Sequence, residues 1–505
     1  MATTDNKMIG MTEINSGSSD EDEFAFLITD EFTVEQAIDH MGFGRFHVKI
    51  ALINAALTIC SAGIWMLLSI LGPELECKWH LAKWQQALIT TIVFVGYLFG
   101  SPLWGKFADL YGRKTALIMI GLWLFVFGLL TSFSPNYIWI LSLRGLVGFG
   151  IGGLAQTAVL SSEFYPSTVR GFWMTFVGFS WIIGIVWVVA VGYFVMPTLG
   201  WRWLLVIAAL PLIIFIACCY FLPESPYYHV ACGNKEAALD ILKLVAKTNG
   251  KSLPPGDLKV GSGSGDRGTF VDLYSDRKTS ITTSLLLFIW FAMAFIYYGV
   301  VLLTTEMFSK GHSCAATPAN ADETCFDSCQ LLTKKDYSKI IITTLAEFPG
   351  HLITLGIIDF AGRKKTMSIH NMLCAGSILL LLICTKSQMM LTVFLFLARG
   401  HIAGAFAAIY IYTPEVYPTH VRGIGLGTCG SISRIACIIT PFVAQVFLDI
   451  SPSATIAVYA GFGFAAAVAI MFLPIETKGR NLVSQLKETK SSLKSSEEPH
   501  PSLTL

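Results

Sequence analysis

Charge is what this sequence has least of. Only 14% of its 505 residues are Asp, Glu, Lys or Arg, against about a quarter in an ordinary soluble protein, while 54% are hydrophobic and mean hydropathy is +0.62. That deficit excludes a water-soluble domain and makes the chain an integral membrane protein. The net charge of +1 gives no bulk of either sign. A polyanionic partner is therefore not indicated, and no zinc-type Cys/His spacing or basic-aromatic array points to a metal or to nucleic acid. Asn-x-Ser/Thr acceptors are absent, so N-glycosylation is not expected. The first residues are polar, with no short apolar core before a small-residue cleavage site, and no removed signal peptide is expected. No Ser/His/Asp or Cys/His set has motif spacing, so neither an enzyme nor a cofactor is expected. The Gly-rich run from Gly145 to Gly153 lies inside an apolar stretch with no strand before it, which favours close helix packing over a phosphate loop.

What is present is a repeat. Asp109-Leu110-Tyr111-Gly112-Arg113-Lys114 returns as Asp359-Phe360-Ala361-Gly362-Arg363-Lys364, 250 residues on. Arg144-Gly145 is echoed by Arg399-Gly400. Glu163, Tyr165, Pro166, Arg170 and Gly171 are echoed by Glu415, Tyr417, Pro418, Arg422 and Gly423, and Glu224 by Glu476. Several independent pairs near one offset indicate two copies of one bundle.

Apolar runs of roughly 20 residues, the length an α-helix needs to cross ~30 Å of hydrocarbon, give the count in each copy. They fall near 48–71, 87–108, 115–133, 137–161, 172–195 and 202–222, then near 281–304, 338–358, 367–385, 390–412, 424–448 and 455–473. The expected fold is all-α: twelve transmembrane helices in two pseudo-symmetric six-helix bundles, 48–222 and 281–473. Residues 1–47 form a polar, acidic tail in which Thr33 and Gln36 have capping-box spacing for one short helix. The segment 223–280 is a polar linker with an amphipathic helix near 235–248, capped by Asn234 and stopped by Gly250, and a flexible Gly/Ser stretch at 261–265. Residues 474–505 are a second tail.

Lys and Arg cluster in the loops holding Arg113, Arg170, Arg363 and Arg422, in the 223–280 linker and in the C-terminal tail. By the positive-inside rule that face, with both termini, is cytoplasmic. The opposite face carries Cys77 in its first loop and Cys314, Cys325 and Cys329 in the longer 306–337 loop. On an oxidising side these four allow two bridges in any of three pairings.

Charges within spans are costly unless paired or turned to a cavity. Glu347 and Arg434 lie nearest mid-membrane, and Arg144 and Arg399 lie about two turns from the non-cytoplasmic surface. His351 shares a helix face with Glu347. Asn54, Thr58, Ser61 and Trp65 form a polar stripe on the first span that suits a cavity wall. The aromatics Trp181, Trp290, Tyr297, Tyr298 and Tyr410 could line a path, or simply pack. Arg144 and Arg399 are candidate gating charges, and for them and Glu347 the alternative is a structural pair between helices. The two loops offer Asp109, Arg113, Glu163 and Arg170, with Asp359, Arg363, Glu415 and Arg422, as gating charges or as topological anchors. In the first reading, Asp109 accepts hydrogen bonds from the N-terminal amides of a neighbouring helix.

On these residues the sequence resembles the major facilitator superfamily over about 48–480, in its sugar and organic-ion branches. The matching stretches are Asp109/Gly112-Arg113-Lys114 and its repeat, Arg144-Gly145, Glu163-Phe164-Tyr165-Pro166, Pro223-Glu224-Ser225, Gly200-Trp201-Arg202-Trp203 and Tyr412-Thr413-Pro414-Glu415. The resemblance implies alternating access by rocking of the halves, an intracellular vesicle membrane with the plasma membrane as the alternative, and a small organic solute as partner, with a coupling ion where transport is active. There are departures. Leu110 stands where the superfamily loop often has Arg, Leu355 where it has Gly, and Ser61 and Ile64 where relatives carry acids. In proton-coupled members a first-span acid pairs with the fourth-span Arg, here Arg144, so that pairing is not expected.

The surplus of Arg144, Arg399 and Arg434 over Glu347 leans the expected cargo toward an organic anion, contacted by Arg434, with Glu347 and His351 sensing charge or protons. A neutral-solute facilitator, and a non-transporting membrane protein whose tails engage trafficking partners, are the alternatives.

Overall fold

A computed structural model describes residues 31–166, 168–259, 269–309, 331–383 and 387–478, apart from the side chains of residues 170–177, 419 and 420. Among the described residues twelve helices are long and apolar enough to cross a membrane. The acidic run at 18–23, the Gly/Ser stretch at 261–265 and residues 479–505 of the C-terminal tail lie outside them.

The chain enters through α1 (Val34–Met41). Thr33 and Gln36 close a capping box, and Gly42 ends the helix at φ +61°. The first bundle follows as α2 (Arg45–Trp79), α3 (Lys83–Tyr111), α4 (Arg113–Ser132), α5 (Tyr137–Phe164), α6 (Arg170–Leu199) and α7 (Trp201–Cys219). In the linker, α8 (Lys235–Asn249) begins at the Asn234 side chain, which accepts the Ala237 amide, and ends at Gly250. The second bundle comprises α9 (Arg277–Ser309), α10 (Lys334–Ala361), α11 (Arg363–Leu382), α12 (Gln388–Val416), α13 (Val421–Ile450) and α14 (Pro452–Met471).

Most spans overrun the expected apolar windows, because amphipathic turns such as Arg45–Val48 and Glu74–Trp79 extend the helix past the hydrocarbon. One element was not legible at all. Glu31–Phe32 (β1) pairs in parallel with Asp257–Leu258 (β2), tying the N-terminal segment to the linker. Two residues per strand are too few for an alternating pattern to show.

Within each bundle the repeat is a packing device. A Cβ at Gly96 would come within 2.1 Å of the Gly145 carbonyl oxygen, and one at Gly350 within 2.1 Å of that of Gly400. The crossings of α3 with α5 and of α10 with α12 therefore bring backbones together, the use expected of small residues where no water drives association. The Gly-rich run beginning at Gly145 belongs to this contact.

The repeated loop is equally symmetric. Gly112 and Gly362 have φ of +96° and +89°, a region that disfavours side chains, and each turn hands the chain directly to the next helix. The first amides of α4 are accepted by Glu224, with Arg113 N to Oε1 at 2.7 Å and Lys114 N to Oε1 at 3.1 Å. Glu476 does the same for Arg363 (3.0 Å) and Lys364 (3.1 Å) at α11. This corrects the expectation for Asp109: the carboxylate on the helix N-terminus is Glu224, while Asp109 is 65% exposed and bonds the Arg113 side chain at 2.5 Å. Arg113 also reaches Glu163 at 3.4 Å, and Arg363 pairs with Asp359 at 2.9 Å and Glu415 at 3.0 Å. All these pairs lie within one bundle. The Arg170 side chain lies outside the described residues, and Arg422 is partly buried on α13.

Candidate solute site between the two bundles

The bundles meet along α3 with α13, α6 with α10 and α2 with α9. At the first seam Arg434 lies over the Tyr97 ring, 4.0 Å from its centroid, and its Nη2 donates to the Tyr97 hydroxyl at 2.9 Å. Its Nε has no hydrogen-bond partner among the described residues. Aromatics gather around this seam. Trp65 stacks on Phe94 at 4.6 Å and lies 6.0 Å from Tyr97 and 5.7 Å from Tyr298. Tyr410, half exposed, meets Trp290 edge to face at 4.8 Å. A guanidinium held flat by a ring keeps its in-plane N–H donors available for a planar anion. Tyr97 was missed in the sequence because one tyrosine in an apolar span carries no pattern.

A second cluster sits at the α6–α10 seam. Arg399 Nε donates to Glu347 Oε1 at 2.9 Å with both side chains fully buried. The Tyr297 hydroxyl contacts both carboxylate oxygens at 3.2 and 3.1 Å, and Trp181 of the other bundle donates to that hydroxyl at 2.9 Å. His351 Nδ1 donates to the Glu347 carbonyl at 2.9 Å and its ring lies 5.8 Å from Phe179 of α6. Trp290 donates to Thr413 at 3.0 Å.

Other candidates point elsewhere. Asn54 donates to Ser161 of α5, and Ser61 caps back to its own helix at Thr58 O. Arg144 is 1% exposed, and its Nε and Nη2 meet no partner among the described residues. Two histidines that the sequence did not mark, His370 and His401, face one another with Nδ1 atoms 3.2 Å apart.

At the end of the seam remote from the repeated loops lies a further charged group. Glu306, buried on α9, accepts from Lys83 Nζ at 3.3 Å, from Gln86 at 2.6 Å and from Gln445 at 3.4 Å, and Lys83 also bonds Glu76 at 2.6 Å. Lys83, Gln86 and Glu76 belong to the first bundle, and Glu306 and Gln445 to the second. Glu306 corrects the charge tally: the seventh helix runs to Ser309, beyond the window ending at 304, and carries a buried acid inside. Cys77 is disulfide-bonded, whereas Cys314, Cys325 and Cys329 lie outside the described residues.

Twelve spanning helices in two repeated bundles, with a repeated charged loop at one end of each and a polar-aromatic seam between them, define a transporter of the major facilitator type. The chain belongs to that superfamily: the model of the sugar (and other) transporter family matches residues 40–317, and that of the major facilitator superfamily matches residues 340–501. Within it the chain is similar to the synaptic vesicle 2-related protein of Xenopus laevis, 48% identical over 93% of this chain and 86% of that one. It is also 40% identical to SVOPL of Mus musculus, over 90% of this chain and 94% of that one. The fold matches the xylose transporter XylE of E. coli in a partially occluded inward open conformation, with TM-score 0.67 at 17% identity, covering 86% of this chain and 99% of that one. The family is one of multi-pass membrane transporters rather than of enzymes.

Proposed function

We propose that the chain carries a small organic anion across the membrane by alternating access, and that Arg434 receives the anionic group at the α3–α13 seam. The supporting observation is the guanidinium stacked on Tyr97 with its Nε unpartnered, near Tyr298 and Tyr410 and with Trp65 beside Tyr97 and Tyr298. In this reading the aromatics contact the organic body. Glu347 and Tyr297, sharing one network with Trp181 across the seam, and His351 one turn on from Glu347, sense charge as the bundles rock. The Asp109/Arg113/Glu163 and Asp359/Arg363/Glu415 groups act in gating at the basic face, which is cytoplasmic, together with Arg170 and Arg422. The relatives' name supports a vesicle membrane as its location.

The test begins with purified protein and a panel of anionic and uncharged solutes. A ligand that binds the folded state raises its unfolding temperature. Anions should stabilise the wild type and fail to stabilise Arg434→Ala. An Arg434→Ala variant that reaches the membrane and transports the identified solute normally would dispose of the reading. The sugar (and other) transporter match favours a neutral solute as second reading, and competition between uncharged and anionic solutes separates the two.

A further inference from the structure

The first bundle holds a buried cation that the Arg434 reading does not use. Arg144 is 1% exposed, and a guanidinium taken out of water without a countercharge costs several kcal/mol. Its two unpartnered nitrogens, Nε and Nη2, are adjacent on one edge of the planar group. That edge is the fork with which arginine grips a carboxylate. In the second bundle the counterpart, Arg399, uses the same edge: Nε meets Glu347. Among the described residues no carboxylate forms an ion pair with Arg144.

Arg144 lines a small space within the bundle, walled by Ile64 and Leu67 of α2, Leu124 of α4, Val147 of α5 and Leu205 and Leu212 of α7. These walls are aliphatic. A water held there needs two to four polar partners, and the walls bring none beyond the guanidinium. An organic carboxylate would need room that so tightly walled a space does not offer. A monatomic anion is more compact than any organic carboxylate and brings the countercharge that a water lacks: it takes the two N–H donors of the fork and leaves no donor of its own unsatisfied.

We propose that Arg144 binds a chloride ion inside the first bundle, as a bound countercharge distinct from the transported solute. The inference stands apart from the Arg434 site, which lies at the seam with α13, and its test needs no substrate.

Purified full-length protein is unfolded thermally in sodium chloride, sodium bromide or sodium gluconate at one ionic strength. The halides should raise the unfolding temperature along a saturating curve that gluconate does not reproduce. Arg144→Gln should abolish the halide response. Should that variant not fold, Ile64→Asp carries the point, because it places a carboxylate on the wall of the same space: it should remain folded in gluconate and lose the response through internal neutralisation. Identical unfolding of the wild type in chloride and gluconate would overturn the proposal. A halide response of undiminished size in either variant would also overturn it, placing the anion elsewhere.

Discussion

Arg399 and Glu347 form a fully buried ion pair, Nε to Oε1 at 2.9 Å, and Tyr297 joins it to Trp181 of the other bundle. A buried pair gains little over a well-packed apolar replacement, but removing one partner strands the other. Breaking such a pair typically costs about 3–5 kcal/mol. Glu347→Ala and Arg399→Ala should each lower the unfolding temperature markedly, whereas the double variant Glu347→Gln/Arg399→Met should recover much of the loss. If the double variant is as unstable as the sum of the two singles, the charges are not acting on each other.

The caps at the repeated loop separate two kinds of carboxylate. Glu224 and Glu476 accept the first amides of α4 and α11, and loss of a cap costs about 0.5–2 kcal/mol. Asp109 and Asp359 are 65% and 81% exposed, and exposed i,i+4 pairs contribute about 0.3–0.5 kcal/mol. Thermal unfolding should therefore rank Glu224→Ala and Glu476→Ala well below wild type, with Asp109→Asn and Asp359→Asn close to it. The opposite ranking would return the main structural role to the aspartates.

The strand pair that joins the N-terminal segment to the linker should respond to acid. The Lys235 ammonium hydrogen-bonds Asp257 and holds its carboxyl below the usual range. A folded-state value that is depressed adds stability above the unfolded-state value, and that stability is lost as pH falls through the folded one. The Lys259 amide, which donates to Phe32 O at 2.8 Å, should lose hydrogen-exchange protection over that acidic range once intrinsic rates are corrected. In Asp257→Asn the dependence should flatten. Unchanged protection in the wild type across the same range would show that the ion pair does not support the strands.

The architecture was legible because its causes are long or repeated. Apolar runs of spanning length and the doubled Asp-x-x-Gly-Arg-Lys loop each recur, and the family comparison and the twelve helices agree with the fold they imply. The site was far less legible. Arg434, Trp65, Tyr298 and Tyr410 stood out as polar or aromatic residues in spans, but Tyr97 is an ordinary tyrosine until α13 is packed against α3. Pairing is set by crossing geometry, which composition does not carry: Arg399 found Glu347, while Arg144, which shares the Arg-Gly pair with it, met an aliphatic wall. Glu306 was lost to a boundary, since a window that ends a helix at 304 hides the acid two residues on.

Glu306 supplies the last prediction. Its carboxylate is 1% exposed at the side chain, yet it takes Lys83 and Gln86 from the opposite bundle. The second-bundle donor Gln445 comes from a π-helical stretch, Phe442–Phe447, that follows Pro441. Proline removes an amide from the helical ladder, and such irregular turns are where a helix can change its course. The cluster thus joins the bundles at the end away from the basic loops, and must open whenever that end does. Glu306→Gln keeps the shape but removes the charge that holds Lys83, so the closed arrangement should become less populated. A cysteine at Thr91, whose hydroxyl bonds Ile438 O across the seam at 3.1 Å, reports this in a background cleared of other reactive thiols. An impermeant maleimide should label Thr91→Cys faster when Glu306→Gln is added, and Lys83→Met should act in the same direction. Equal labelling rates in all three proteins would mean that the seam is held shut by packing alone and that Glu306 has no part in opening it.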